Sequence, residues 1–315
     1  MEGNYKRETD RERPLLDLNV RPDPETVSEI SEIMAERYSF LSLTSIGESV
    51  MGKRIHMLSL GNGNAGKSVL YVGAHHGAEW ITTLVLLRLV NEMCEYIKAS
   101  KQPFGINLQM LLATRCIHIV PQLNPDGCDI QINGVRDEHI LYERLQRMSG
   151  GDYSRWQANA RGVDLNHNYN GGFLEYKRLE GENGIFPGPT RYSGEYPLSE
   201  PETAALAGFI RYENRLQGII TLHSAGEEIY YSSGGIVPDR SRSIGEKMAQ
   251  LTGYRLSAPE GLSAYGGLTD WYIREFSRPS FTIECGTGEN PIPETAYFPI
   301  YARLREMLMT FPMLL

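Results

Sequence analysis

The stretch VLYVGAHHGAEW, residues 69–80, decides the fold more than any other part of the sequence. It begins as an apolar, β-rich run that ends at Ala74, and it continues through two histidines to Glu79. An apolar-periodic segment then runs to about residue 99, as expected of a long helix. The stretch predicts a buried strand that turns directly into a helix, with polar side chains at the turn.

Two further apolar runs end in the same way, each at a polar residue. GIITLHS carries His223 at the end of its run, and PSFTIECG carries Glu284. Runs of this kind are typical of central strands that are buried on both faces of a sheet. Because strands alternate with helical segments along the chain, we predict an α/β sandwich, in which helices flank a mixed or largely parallel β-sheet.

Apolar periodicity also predicts the remaining elements. Strands are expected at 54–60, 69–74, 116–120, 218–222 and 281–283, and helices at 26–38, 79–99, 201–215, 240–252, 268–276 and 297–310. The Gly/Asn loop between the first two strands indicates a hairpin-like connection. Residues 124–200 are rich in Gly, Asn, Pro and Tyr and have no predicted element, and such stretches usually carry a site.

Composition and charge argue against several classes of protein. The 315 residues include 31 Lys plus Arg and 39 Asp plus Glu, for a formal charge of −8. An acidic balance argues against sequence-independent binding of nucleic acid, and no apolar run approaches the roughly 20 residues that span a bilayer. The four cysteines, at 94, 116, 128 and 285, have spacings that fit neither a thiolate zinc site nor a disulfide scaffold.

The N-terminal residues 1–24 are charged and punctuated by proline, which predicts a tail or loosely packed arm. Residues 25–315 contain no linker that would divide them, which predicts a single domain. The first residues, MEGNYKRETDRERP, lack the apolar segment of a secretory signal. Taken as the natural start of the protein, they predict a cytoplasmic location.

GNGNAGKS, residues 61–68, fits the P-loop pattern GxxxxGK[ST]. In a P-loop, Lys67 would contact the outer phosphates and Ser68 a magnesium ion. That chemistry requires a helix that begins at the lysine, because the helix N-terminus supplies the anion site. Here strand sequence follows, so the favoured interpretation is a turn between two strands, and a P-loop NTPase is the disfavoured alternative.

Three polar residues at strand ends are candidate metal ligands. His76 and Glu79 lie three residues apart at one strand-to-helix turn, and His223 follows another buried strand. Ligands of open α/β sheets bind at the carboxyl ends of strands, and two imidazoles with one carboxylate can hold zinc with a position open for water. Glu284 would then have a metal-bound water as its partner. Taken singly, each residue also fits a structural role: a helix-capping glutamate, a core histidine or a buried salt bridge.

The motifs follow one another in an ordered set: HGAEW (76–80), LNPDG (123–127), RGVDLNHNY (161–169), SEPE (199–202), TLHS (221–224), DW (270–271) and RPSFTIECGTGENP (278–291). This set resembles the zinc carboxypeptidases related to carboxypeptidase A (peptidase M14). It is most similar to the branch of γ-D-glutamyl-diamino-acid peptidases that cut peptidoglycan peptides. The resemblance spans roughly residues 45–310. It implies a carboxypeptidase-like α/β/α sandwich, one zinc peptidase domain in residues 25–315, and a bacterial origin.

The resemblance also implies roles for individual residues. One Zn²⁺ per chain would be held by His76, Glu79 and His223, with Glu284 as the general base. His75 is the rival ligand, but the family pattern selects His76. Asp164 falls on the carboxylate that orients the first histidine of the site.

The expected substrate-binding residues are Asn166, His167 and Arg161. Asn166 falls on a family residue that holds the terminal carboxylate of the substrate. The family has an arginine at the position of His167, and an imidazole cannot form the bidentate guanidinium fork. Ordinary C-terminal trimming is therefore disfavoured and a diaminopimelate end favoured, unless Arg161 or Arg191 supplies the charge.

A second departure from the family lies at Gln157, which follows Trp156 where an arginine or lysine usually stabilises the oxyanion. A glutamine donates a hydrogen bond but carries no charge. We therefore expect either Arg155 or Arg161 to replace that charge, or a lower rate.

The function implied by the resemblance is a zinc metallopeptidase that hydrolyses an amide bond in short peptidoglycan-type peptides. The favoured bond joins γ-D-glutamate to meso-diaminopimelate, and the alternative is a metallocarboxypeptidase that acts on ordinary peptides. A catalytically inactive binding domain is disfavoured because the three ligands and Glu284 are all present. The expected partner is a short, cell-wall-derived peptide, with neither nucleic acid nor membrane involved, and the oligomeric state stays open.

Overall fold

A computed structural model of the chain describes residues 20–315, except residues 62, 64 and 65. The strands are β1 Leu41–Glu48, β2 Arg54–Gly61, β3 Lys67–Val72, β4 Arg115–Val120, β5 Leu216–His223, β6 Glu228–Tyr230, β7 Arg255–Ser257 and β8 Ser280–Glu284. The α-helices are α1 Pro24–Arg37, α2 Ile81–Lys98, α3 Leu108–Thr114, α4 Pro125–Asn133, α5 Tyr142–Ser149, α6 Phe173–Glu182, α7 Pro201–Tyr212, α8 Ser241–Thr252, α9 Leu268–Phe276 and α10 Tyr297–Thr310. Most of the predicted tail, residues 1–19, lies outside the described residues.

The strands form one mixed sheet in the order β1-β2-β4-β3-β5-β8-β6-β7. The four central strands, β4, β3, β5 and β8, are parallel to one another, so their carboxyl ends lie at the same edge. The mixed α/β sheet predicted from the sequence is confirmed. The predicted hairpin between β2 and β3 is wrong, because β4 lies between them and pairs antiparallel with β2.

Alternating side chains of the central strands pack into two different cores. In β3, Val69 and Tyr71 join the core that includes buried residues of α1, α2, α3, α8 and α10. Leu70 and Val72 face the other side, where α7 and α9 cover the sheet. This arrangement is the predicted α/β/α sandwich, and it explains why the central strands are almost wholly apolar.

The stretch 124–200 contains three helices, α4, α5 and α6, where the sequence predicted none. Asn124 caps α4 by accepting a hydrogen bond from the backbone N–H of Gly127 at 2.8 Å, and Pro125 occupies the first helical position. Gly150 ends α5 in a left-handed conformation. Asn-Pro at a helix start and Gly at a helix end are local signals of helix boundaries. Here the many other Gly, Asn and Pro residues of the stretch concealed these signals.

The P-loop interpretation fails on geometry. Lys67 is the first residue of a strand, β3, and its ammonium group donates a hydrogen bond to the carbonyl oxygen of Leu315 at 2.7 Å. No helix begins at this lysine, so there is no helix N-terminus to bind a phosphate.

Membrane-spanning helices and disulfide bonds can be checked over the described residues, 20–315 without 62, 64 and 65. None of the helices found there is long and apolar enough to cross a membrane. All four cysteines are buried free thiols, which agrees with the prediction that they form no disulfide scaffold.

Asp126, in the first turn of α4, joins this helix to the turn between β1 and β2. Its side chain is fully buried and accepts hydrogen bonds from Ser49 Oγ and the backbone N–H of Met51, both at 2.8 Å. The ammonium group of Lys53 lies 3.3 Å from Asp126 and 3.0 Å from Asp129.

We expect Asp126→Ala to lower the free energy of unfolding by about 2 kcal/mol, because it leaves the Ser49 hydroxyl and the Met51 N–H without their buried acceptor. Asp129→Ala is the matched control, since it removes the more exposed partner of the same lysine and should cost less than about 1 kcal/mol. Urea unfolding of both variants measures the difference. Equal losses of unfolding free energy in the two variants would show that the buried hydrogen bonds of Asp126 add nothing to stability.

Candidate metal centre and active site

Three strand ends meet at one edge of the sheet and bring the predicted site residues together. His76 follows β3, while His223 and Glu284 are the last residues of β5 and β8 and lie opposite each other in the parallel register. From β3 the chain continues to β4, which lies on one side of β3 in the strand order. From β5 it continues to β6, which lies in the opposite direction beyond β8. The site therefore occupies the crevice where open α/β sheets bind ligands.

The imidazoles of His76 and His223 and the carboxylate of Glu79 converge on one point, with ligand atoms within 4.8 Å of one another. The Nδ1 atoms of the two histidines are 3.3 Å apart. Glu79 Oε1 lies 3.0 Å from His76 Nδ1, and Glu79 Oε2 lies 3.0 Å from His223 Nδ1. Two ring nitrogens and a buried carboxylate around one point form a donor set that suits a zinc ion.

The second nitrogen of each histidine has a partner that orients the ring. His76 Nε2 lies 2.9 Å from Asp164 Oδ1, as the resemblance implied, and His223 Nε2 lies 3.3 Å from Thr221 Oγ1. A carboxylate only accepts, so His76 donates its Nε2 proton to Asp164, which leaves Nδ1 as the ring nitrogen that would bind a metal ion. This is the outer arrangement expected of a metal-binding histidine.

Asp164 is held as an anion by its surroundings. Burial alone would raise the pKa of this carboxyl group, but the imidazoles of His76 and His167 lower it well below the usual range. The backbone N–H of Arg191 also donates to Asp164 at 2.9 Å. A permanently charged acceptor therefore stands behind His76.

Asn290 and Ser224 hold the Glu79 carboxylate, and the sequence did not single out either residue. Asn290 Nδ2 donates to Glu79 Oε1 at 3.3 Å, and the backbone N–H of Ser224 donates to Oε2 at 3.2 Å. The Ser224 hydroxyl also donates to Asn290 Oδ1 at 2.7 Å. Asn290 lies in the GENP sequence, which contributes to the family resemblance, but nothing local in the sequence links it to Glu79.

His75 is a core histidine. It is fully buried, and its two ring nitrogens lie 3.2 Å from the hydroxyls of Tyr169 and Thr221. Burial and the neighbouring imidazoles of His223 and His76 lower its pKa well below the usual range, so the ring is neutral. His75 is absent from the convergent set, which favours His76 as the ligand.

Glu284 lines the same cavity as the three candidate ligands. Burial, followed by the negative charge of Glu79, raises the pKa of Glu284 to about 8. A carboxyl group with a raised pKa can both accept and return a proton near neutral pH, as a general base and acid must.

The cavity lining contains no lysine or arginine in the part of the chain that the structure describes. The residues around it are His76, Glu79, Asn166, His167, His223, Ser224, Tyr230, Ser232, Pro259, Ser263, Gly267, Thr269, Asp270, Thr282 and Glu284. Sequence reasoning had not assigned a role to the polar residues Thr269, Asp270 and Thr282. A substrate carboxylate in this cavity would meet no guanidinium or ammonium group.

The arginines proposed as substitutes for the missing charge lie elsewhere. Arg161, predicted to bind substrate, does not line the cavity, because its guanidinium faces Glu200 at 3.5 Å. Arg155 pairs with Glu289, and Arg191 also lies outside the lining. The predicted substitution of the oxyanion arginine by Arg155 or Arg161 is therefore not supported by the lining.

Gln157 has its side-chain oxygen occupied, since it accepts a hydrogen bond from the hydroxyl of Thr190. Its backbone carbonyl accepts hydrogen bonds from Gly77 N and Asn124 Nδ2, at 2.9 Å and 3.1 Å. Gln157 thus holds the backbone at Gly77, the residue that follows His76.

The family follows from the sequence profile. The profile described as zinc carboxypeptidase, peptidase M14, matches residues 27–307. The chain belongs to the zinc carboxypeptidase family. It is a zinc metallopeptidase domain, and the His76–Glu79–His223 cluster is the place in this family fold where the chain offers ligands for one Zn²⁺.

Two relatives and one solved structure illustrate the relationship. The chain is 32% identical to γ-D-glutamyl-L-diamino acid endopeptidase 1 of Lysinibacillus sphaericus, over 84% of this chain and 65% of the relative. It is 31% identical to the uncharacterized protein YqgT of Bacillus subtilis (strain 168), over 89% of this chain and 73% of the relative. The fold is similar to that of bovine thrombin-activatable fibrinolysis inhibitor in complex with tick carboxypeptidase inhibitor. The TM-score is 0.73, with 21% identity and coverage of 94% and 97% of the two chains.

We expect Asn290→Ala to weaken zinc binding about tenfold or more, because the variant loses the amide that holds Glu79. Competition with a chromophoric chelator gives the affinity. His76→Ala should bind no stoichiometric zinc, and the exposed Asn183→Ala should bind zinc like the unmodified protein. If Asn290→Ala also kept the original affinity, the contact with Glu79 would have no bearing on the metal.

Proposed function

We propose that this chain hydrolyses the amide bond between γ-D-glutamate and an L-diamino acid, such as meso-diaminopimelate, in short peptidoglycan-type peptides. The observation that carries the proposal is the cavity beside the metal centre, whose described lining has His167 and no guanidinium where a carboxypeptidase would bind a terminal carboxylate. The name of the Lysinibacillus relative supports the choice of bond. The chain spans 65% of that relative's length, just under two thirds.

Three residues of the site would hold the metal ion, and three others would orient them. His76, Glu79 and His223 would hold the zinc ion, with Asp164, Thr221 and Asn290 fixing their orientation. When bound, zinc supplies a Lewis acid that activates water and polarises the amide carbonyl.

Glu284 accepts the proton of the attacking water and then donates it to the amine that leaves. Burial beside Glu79 raises the pKa of Glu284 to about 8, so that Glu284 holds this proton until the leaving amine takes it. Asn166 lies in the cavity lining and would position the substrate residue on the amine side of the bond.

We expect Glu284→Gln to retain zinc and to lose hydrolysis by a factor of about 10³, because the variant cannot transfer the proton. Zinc content is measured by elemental analysis and hydrolysis by release of the free diamino acid. Asp129→Asn, a change of the same kind outside the cavity, is the control and should leave the rate unchanged. An active Glu284→Gln enzyme would refute the assignment of the base.

The substrate is tested by comparing L-Ala-γ-D-Glu-meso-diaminopimelate with the ordinary peptide L-Ala-L-Glu-L-Phe. We expect kcat/KM for the first peptide to exceed that for the second about tenfold or more. Faster release of phenylalanine would instead support the alternative, a metallocarboxypeptidase that acts on ordinary peptides.

A further inference from the structure

Asn166 faces the cavity with a hydrogen-bond donor. Its side-chain oxygen accepts the backbone N–H of Leu268 at 3.2 Å. Because this contact assigns the oxygen, the group that Asn166 can offer to a ligand is its NH₂. That group is complementary to a carbonyl or carboxylate oxygen.

The adjacent residue, His167, faces the cavity with a hydrogen-bond acceptor. Its Nδ1 lies 3.0 Å from the backbone carbonyl oxygen of Tyr265, and a carbonyl only accepts, so Nδ1 carries a proton. The ring also stacks on Tyr176, with centroids 4.0 Å apart and planes 14° apart, which fixes its orientation. Burial lowers the pKa of His167 against the opposing effect of Asp164, which favours the neutral ring. In that form Nε2 has a lone pair and no proton.

A donor beside an acceptor matches an amide group. The amide carbonyl can accept from Asn166 Nδ2, and the amide N–H can donate to His167 Nε2. A carboxylate has two acceptor oxygens and no proton, so one oxygen would face the Nε2 lone pair.

The charges around the cavity also favour an amide over a carboxylate. No lysine or arginine of the described lining would pair with a substrate carboxylate bound beside Asn166 and His167. A buried carboxylate without a cationic partner is costly. The cavity therefore disfavours a substrate that ends in a free carboxylate at this position.

We infer that Asn166 and His167 bind an amide group, and not a carboxylate, at the carboxyl end of the diamino acid residue. The preferred substrates are then peptides whose diamino acid is amidated or is followed by another residue. The inference rests on the proposed function for the identity of the diamino acid residue.

Three substrates that differ only at this group test the inference. They are L-Ala-γ-D-Glu-meso-diaminopimelate as the free acid, the same peptide amidated at the carboxyl group next to the scissile bond, and the same peptide extended there by D-Ala. We expect kcat/KM for the amidated and extended peptides to exceed that for the free acid about tenfold, the penalty for an unpaired polar group at such a site. A rate for the free acid that equals or exceeds the other two overturns the inference.

Variants of His167 test the assigned contact. His167→Phe can still stack on Tyr176 but has no Nε2 acceptor, so the preference for the amide should fall to about onefold. His167→Arg introduces a guanidinium and should reverse the preference in favour of the free acid. His139→Phe, outside the cavity lining, is the matched control and should retain the original preference. A His167→Phe enzyme that keeps the full preference contradicts the role of Nε2.

A binding experiment separates this inference from the proposed function. Zinc-loaded Glu284→Gln protein is titrated by calorimetry with γ-D-Glu-meso-diaminopimelate in its acid and amidated forms. If no peptide is hydrolysed by the unmodified enzyme, the proposed function fails, but tighter binding of the amidated form still supports the inference. Equal binding, tighter binding of the acid, or binding of neither form overturns it.

Discussion

The buried carboxylate of Glu79 is the group on which the rest of the site depends. It lies between His76 and His223, and Asn290 and the backbone N–H of Ser224 complete its hydrogen bonds. A buried charge is tolerated only when it is paired and hydrogen-bonded. Apart from His76, which is three residues away, the partners come from two distant segments, at 223–224 and at Asn290, so the sheet must assemble correctly before the carboxylate can be accommodated.

The cavity next to this carboxylate differs in the charge of its lining from what the family resemblance implies. The fold is that of the zinc carboxypeptidases, whereas His167 and Gln157 stand where the family resemblance implies an arginine or lysine. No arginine of the described lining restores the lost charge. Under the proposed function, substrate choice would depend on the loop around 157–167, and the strand ends that carry the chemistry would stay in place.

Much of the fold was predictable because its central strands are strongly apolar and its long helices strongly periodic. Strand pairing was less predictable: β4 inserts between β2 and β3, and local sequence carries no record of a pairing with a strand more than 40 residues away. The three-residue strands β6 and β7 gave no periodicity to detect. In 124–200, the cap formed by Asn124 and Pro125 was present in the sequence but was hidden by its Gly-rich surroundings.

The sequence by itself determined the family, the mixed α/β sheet and the candidate ligands, because strand-end residues in a fixed order carry that information. Only the tertiary structure decided that His75 belongs to the core, that Asn290 holds Glu79, and that Arg155 and Arg161 lie outside the cavity. It also decided which atoms Asn166 and His167 present to a ligand. The physical reason is that a hydrogen-bonding role depends on the partner group, and here the partners are Leu268 and Tyr265, about a hundred residues farther along the chain.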